Sequence, residues 1–141
     1  MALRQIRVEG DPVLNKVSKE VKEVTPRTLE LIGDMLDTMY EANGVGLAAV
    51  QVGILKRIVV IDVTGEDPVI MINPKIITKN KPFMTTEGCL SLAGEPKETR
   101  RYFEIEVEYL DREFKPQKQK YSGWSAQIIQ HEIDHCNGVL I

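Results

Sequence analysis

The only two histidines of the chain stand four residues apart near its C-terminus, as His131 and His135, with Glu132 beside the first. On an α-helix, positions four apart share one face, so both imidazoles can bind one metal ion. A carboxylate next to the first ligand can reach a water molecule on that metal. The competing interpretation is an amphipathic helix with solvated His and Glu side chains, and the spacing favours the metal site.

A catalytic site of this type needs a third protein ligand and an open position for water. Residues 136–141 contain no His or Glu, and Cys136 directly follows the second histidine. Its side chain would therefore be rotated away from the ligand face of the helix. The third ligand must come from upstream, and Cys89 is the best candidate.

The composition is that of an ordinary globular protein and excludes several classes of function. The 141 residues, 43% hydrophobic and 28% charged, predict one domain over residues 1–141. A formal net charge of -3 offers no basic footprint for nucleic acid. No apolar signal-peptide core and no run of membrane-spanning length is present, so we expect a cytoplasmic protein with reduced cysteines.

The first long element predicted is a helix over residues 26–42, after an irregular segment over residues 1–24. Thr25 followed by Pro26 is a strong helix start. Asn43-Gly44 predicts its end in a left-handed cap. Apolar residues at helical spacing predict the buried face, and they are Leu29, Ile32, Leu36, Met39 and Tyr40.

Strands are predicted from β-branched and alternating residues, over residues 56–63, 69–72, 75–78, 101–110 and 115–121. Residues 79–86 are predicted as a polar loop, and residues 44–53 as a glycine-rich connector. The final helix is predicted over residues 124–137, with Gly138 as its cap. The fold class is therefore α+β, with a long N-terminal helix and antiparallel β-sheets around a C-terminal metal-binding helix. In the fourth strand, the residues expected to face the core are Phe103, Ile105, Val107 and Tyr109.

Three separated stretches together resemble one family. Residues 44–51 look like the motif G-x-G-L-A-A-x-Q, residues 87–91 are identical to E-G-C-L-S, and residues 130–135 match Q-H-E-x-D-H. In motifs, order and spacing, nearly the whole chain resembles the peptide deformylases. These are metallohydrolases that remove the formyl group from the initiator methionine of nascent bacterial proteins.

The resemblance implies a role for each matching residue. Glu132 would be the general base and acid, while Gln51 and the backbone N–H of Leu90 would stabilise the developing oxyanion. Glu87 would pair with Arg101 and steady the ligand loop, although an ordinary surface pair is the alternative. The implied metal ligands are Cys89, His131 and His135. The implied substrate-binding residues are Val45, Gly46, Leu90, Gln127 and Ile128.

The same resemblance implies Fe2+ as the cofactor, with Zn2+, Ni2+ or Co2+ as substitutes, whereas the ligand types alone favour zinc. The expected partners are N-formylmethionyl nascent peptides near the ribosome exit. Several positions depart from the family pattern: Val50, Ala93, Gln127 and Cys136, the last expected to be a small core residue. Many bacterial members also continue into a further helix beyond the position of Ile141.

Two other functions remain open at this point. A zincin-type endopeptidase shares the H-E-x-x-H motif but would need a ligand downstream of it. A non-catalytic deformylase-like domain would carry a structural metal, closed by four ligands, or none. Such a domain would need neither Glu132 nor Gln51.

Overall fold

The computed structural model describes residues 2–91 and 96–140, and within them the chain forms one five-stranded antiparallel sheet between two α-helices. The strands follow one another across the sheet in chain order. The single sheet replaces the several sheets expected from sequence. Two 3-10 helices span Pro12–Asn15 and Ala49–Val52, and the other elements are α1 (Pro26–Glu41), β1 (Gly46–Ala48), β2 (Ile58–Ile61), β3 (Val69–Glu87), β4 (Lys97–Leu110), β5 (Pro116–Ser122) and α2 (Gly123–Cys136).

Helix α1 confirms the helix predicted over residues 26–42. Thr25 is its N-cap and forms a capping box with Thr28, which satisfies backbone N–H groups in the first turn. At the other end Asn43 adopts a φ of 56°, and its N–H and that of Gly44 bond carbonyls of the last turn. The expectation of a long N-terminal helix is wrong. Helix α1 has only 16 residues, and it begins at Pro26.

The buried face of α1 differs from the predicted one. Leu29 and Tyr40 are 45% and 42% exposed, whereas Met35 is fully buried. The helix is rotated so that its inner face centres on Met35, which turns Leu29 and Tyr40 toward solvent. The apolar residues on the inner face are Leu31, Ile32, Met35 and Met39.

Strand β2 lies at the centre of the protein, and all four of its residues are buried. Ile58 and Val60 pack in the cluster that includes α1, while Val59 and Ile61 pack in the cluster that includes α2. Successive side chains of a strand point to opposite faces, so a helix on each face requires a continuous apolar run. This packing places the sheet between α1 and α2.

The predicted loop over residues 79–86 is wrong, because this stretch belongs to β3. Residues from Lys79 to Glu87 pair with β4 from Ile105 back to Lys97. This two-stranded ribbon is largely exposed, so residues 79–86 lack the apolar alternation that marks a half-buried strand. For the same reason Phe103, expected in the core, is 44% exposed, whereas Ile105 and Val107 are buried as predicted.

Helix α2 confirms the predicted final helix. It ends at Cys136, and Gly138 two residues later has a φ of 77° and donates its N–H to the carbonyl of His135. Cys136 is fully buried in the core, as expected. Residues 92–95, which include Ala93, and Ile141 lie outside the described residues. None of the helices in the described residues is long and apolar enough to cross a membrane.

Candidate metal centre and its cleft

Three potential metal ligands from two distant parts of the chain converge at one point. Cys89 lies just beyond the end of β3, while His131 and His135 project from successive turns of α2. Sγ of Cys89 lies 3.3 Å from Nε2 of His135, which is 3.1 Å from Nε2 of His131. The three ligand atoms lie within 4.8 Å of one another. One thiol and two imidazoles at these separations suit a tetrahedral metal with one open position.

The orientation of His131 is set by a buried ion pair. Oε1 of Glu87 lies 2.9 Å from Nδ1 of His131, so Nε2 can turn toward the other ligands. Arg101 binds Glu87 through two nitrogens, at 2.8 and 3.0 Å, and reaches Asp134 at 2.6 Å. The side chains of Glu87 and Arg101 are only 7% and 5% exposed, so this is not an ordinary surface pair.

The charges of these groups follow from burial and hydrogen bonding. Burial opposes ionisation of Glu87, but hydrogen bonds from His131 and Arg101 prevail and lower its pKa to about 2. Burial, with the nearby positive charges of His131 and Arg101, lowers the pKa of His135 to about 3. Burial also favours neutral His131, but hydrogen bonds with Cys89 and Glu87 raise its pKa to about 10. Metal binding would release the proton of His131.

Glu132 is a buried carboxyl with one oxygen that is not used in a hydrogen bond to any described residue. It is 4% exposed, and the oxygen concerned is Oε1. Burial raises its pKa to about 7. Its Oε2 lies so close to Gly46 that a Cβ there would approach it to 2.7 Å and Ile128 to 2.9 Å. Only glycine lets β1 run this close to the carboxyl.

Gln51 lies beside the cysteine, with its amide held at both ends. The Oε1 atom accepts the N–H of Ala48 at 3.0 Å. The Nε2 atom donates to Oγ of Ser91 at 3.1 Å and lies 3.7 Å from Sγ of Cys89. These partners determine which end of the amide faces the candidate metal centre.

A cleft of about 530 Å³ opens onto this centre. All five residues expected to bind substrate line it: Val45, Gly46, Leu90, Gln127 and Ile128. Trp124, which sequence reasoning missed, also lines the cleft and is 54% exposed. Its position three and four residues before Gln127 and Ile128 was a usable signal, since such positions share a helix face. Gln127, at a position where an apolar residue was expected, lines the cleft together with Trp124 and Ile128.

Two further residues of the site lie inside the matching motifs and were given no role from sequence. Ser91 ends the second motif, is fully buried and accepts the Gln51 hydrogen bond. Asp134 lies in the third motif and holds Arg101 from the side opposite Glu87. Val50, a departure from the family pattern, is fully buried in the core.

Comparisons of the sequence and of the structure with known proteins point to the same family. The sequence matches the family described as Polypeptide deformylase over residues 3–141. It is 54% identical to a peptide deformylase of Agathobacter rectalis, over 99% of this chain and 88% of that one. The structure resembles a crystal structure of a peptide deformylase from Legionella pneumophila with a TM-score of 0.95 and 40% identity, over 98% of this chain and 83% of the other.

A further relative has been solved with a ligand. The peptide deformylase from Ehrlichia chaffeensis in complex with actinonin matches with a TM-score of 0.93 and 38% identity, over 99% of this chain and 87% of the other. The five-stranded sheet and the C-terminal helix therefore form a peptide deformylase-like fold. With the match over residues 3–141 and these relatives, the chain belongs to the polypeptide deformylase family, hydrolases that remove the N-formyl group from nascent polypeptides.

Proposed function

We propose that residues 1–141 form one catalytic domain in which Cys89, His131 and His135 hold a single divalent metal ion. The proposed ion in the cell is Fe2+, and Zn2+, Ni2+ or Co2+ could replace it. One thiol and two imidazoles converge near Glu132, whose Oε1 has no hydrogen-bond partner within residues 2–91 and 96–140, and this observation carries the proposal. An N and S donor set with this spacing fits such an ion.

Glu132 is proposed to move the protons of the reaction. A bound divalent metal would lower the pKa of water and polarise the formyl oxygen. The Glu132 carboxylate accepts a proton from the attacking water and later delivers it to the departing amine nitrogen. Burial of this carboxyl supports that role, as does its Oε1 atom, which no described residue hydrogen-bonds. The products are formate and a peptide with a free N-terminus.

Gln51 and the backbone N–H of Leu90 are proposed to donate hydrogen bonds to the formyl oxygen as negative charge develops on it. Donors fixed in advance stabilise such charge without reorganisation, and losing one typically costs roughly 2.7–4 kcal/mol. The held amide of Gln51 supports this role, and Leu90 lines the cleft beside the cysteine.

The cleft is proposed to bind the formylmethionyl end of a nascent peptide. Ile128 and the exposed ring of Trp124 supply apolar surface for the methionine, and Gly46 lets the peptide backbone approach β1. Formylated peptide ends arise during translation, so we place the reaction in the cytoplasm near the ribosome exit.

A comparison of three substrates tests the reaction. Formate release and new amino termini are measured with formyl-Met-Ala-Ser, with its N-acetyl analogue and with a peptide offering only internal amides. We expect rapid turnover of the formyl peptide alone. Cleavage of internal amides would identify a zincin-type endopeptidase instead, and no turnover by the metal-loaded protein would identify a non-catalytic domain.

A further inference from the structure

Ser91 has no part in the mechanism proposed above, although it is fully buried beside the site. It ends the second sequence motif, two residues after Cys89. Its hydroxyl oxygen accepts a hydrogen bond of 3.1 Å from Nε2 of Gln51, 40 positions earlier in the chain. The shared hydrogen bond joins the 3-10 helix of the proposed oxyanion donor to the loop of the proposed metal ligand.

The geometry of an amide explains what this hydrogen bond can control. A glutamine side chain has one acceptor end and a nitrogen with two N–H groups in a fixed plane. The acceptor end of Gln51 is held by the N–H of Ala48, and one N–H is directed to Ser91. With both of these directions set, the second N–H has only one direction left. It faces the candidate metal centre, where it donates a long hydrogen bond of 3.7 Å to Sγ of Cys89.

The N-terminal segment holds the backbones of the same two residues. The N–H of Arg7 donates to the carbonyl of Gln51 at 2.7 Å, and the N–H of Glu9 donates to the carbonyl of Ser91 at 2.7 Å. The guanidinium of Arg7 lies over Gly53 and forms an ion pair with Asp11 at 3.0 Å. A short segment near the start of the chain therefore connects two parts of the site that are distant in sequence.

We infer that Ser91 is a positioning residue that directs the second N–H of Gln51 toward the formyl oxygen, and that the backbone of Arg7 and Glu9 keeps the two residues at the required separation. This inference rests on the proposed oxyanion role of Gln51. Ser91 does not touch the substrate and acts through the amide alone. Its contribution therefore belongs to the transition state, where the N–H of Gln51 forms its strongest hydrogen bond.

A double-mutant cycle with Ser91→Ala and Gln51→Ala tests the inference. Gln51→Ala should lower kcat on formyl-Met-Ala-Ser by roughly a hundredfold, with a smaller effect on KM. Ser91→Ala alone should lower kcat roughly two- to tenfold, the worth of one neutral hydrogen bond. In the Gln51→Ala background, Ser91→Ala should cause no further loss, since the group it acts through is gone.

The possible outcomes distinguish a failure of this inference from a failure of the proposed function. Normal kcat in Gln51→Ala at full metal occupancy would refute the oxyanion role, and the inference with it. If Gln51→Ala is impaired but Ser91→Ala is normal, or is equally harmful in both backgrounds, only the inference fails. A hydroxyl that served stability alone would change the melting temperature and give the same loss of kcat in both backgrounds.

A second measurement does not depend on turnover. In the zinc-loaded form, the two side-chain N–H resonances of Gln51 should be well separated, because their environments differ, and Ser91→Ala should move the hydrogen-bonded one. Unchanged Gln51 resonances in Ser91→Ala would overturn the inference.

The N-terminal contact is tested with Glu9→Pro, which removes the backbone N–H that bonds Ser91. Glu9→Ala, which keeps that N–H, is the matched control. With kcat measured per folded, metal-loaded molecule, the proline variant should be slower than the alanine variant. Equal kcat values would show that this segment does not position Gln51 and Ser91.

Discussion

The two cysteines of this chain lie in opposite environments. Cys89 is partly exposed in the cleft, with its sulfur 3.3 Å from Nε2 of His135. Cys136 is fully buried in the core, where burial raises the pKa of its thiol to about 12. The raised pKa disfavours the metal-binding thiolate of Cys136, and Cys89 is the cysteine whose sulfur lies with His131 and His135.

Cys89→Ala should therefore lose the bound metal, while Cys136→Ala should keep one ion per chain. The second change should cost at most about 1 kcal/mol of stability, the order expected for a small loss of buried volume. Metal content per chain, measured by mass spectrometry after gel filtration, checks both variants. Equal metal loss in the two would contradict the assignment of Cys89.

Glu132→Gln should retain metal and lose most turnover. The amide can hydrogen-bond the attacking water but cannot accept its proton, and general base catalysis contributes roughly 10²–10⁴-fold. The melting temperature should not fall, because the wild-type carboxyl is buried with an oxygen that lacks a partner among the described residues. Single-turnover rates with metal quantified in each sample test this, and substantial activity in the metal-replete variant would exclude Glu132 as the base.

At the scale of elements, the approach of β1 to α2 shapes the site. A Cβ at Gly46 would meet the side chains of both Glu132 and Ile128 at less than 3.0 Å, so at least the Glu132 carboxyl would have to move. At Gly88, another glycine lining the cleft, an added Cβ would meet nothing within 4 Å. Both glycines line the cleft, but only Gly88 leaves room for a Cβ atom, so Gly88 is the matched control for Gly46.

Gly46→Ala should lower kcat/KM strongly by displacing Glu132, and overpacking should destabilise the fold by about 1–3 kcal/mol. Gly88→Ala should have a much smaller effect on both quantities. Steady-state kinetics and thermal unfolding of the two variants provide the comparison. Similar losses in both would show that the approach of β1 to Glu132 is not what the site requires.

At the scale of the whole molecule, the proposed metal would connect the end of β3 to α2. Cys89 lies just after β3, whereas both histidines belong to α2, which packs mainly against β4 and β1. A ligand that binds only the folded state stabilises it, by about 2.7 kcal/mol at a hundredfold excess over Kd.

Removing the metal with a chelator should therefore lower the melting temperature by several degrees, of the order expected for about 2.7 kcal/mol. Adding the ion back should restore it. Cys89→Ala is the control, since its melting temperature should not respond to the chelator. A wild-type melting temperature that is also unresponsive would mean that the three residues do not hold a metal in the folded protein.

Local sequence patterns were sufficient to predict both α-helices and the two histidines of the candidate metal centre. The cap of α1 at Thr25 and the left-handed Gly138 after α2 depend on hydrogen bonds within a few residues, so their signals are readable in the sequence. The shared face of His131 and His135 follows from helix periodicity alone. The roles of Gln51 and Leu90 came from the family resemblance, and they stay predictions.

Features that depend on contacts between residues far apart in the sequence were decided only by the tertiary structure. Residues 79–86 form a strand because β4 pairs with them, and no local apolar pattern records that pairing. The inner face of α1 depends on which side the sheet occupies, so Leu29 and Tyr40 could not be placed from periodicity. The hydrogen bond from Gln51 to Ser91 spans 40 positions and exists only because the sheet and the N-terminal segment bring the two residues together. Such contacts are set by the packing of whole elements, which no short stretch of sequence encodes.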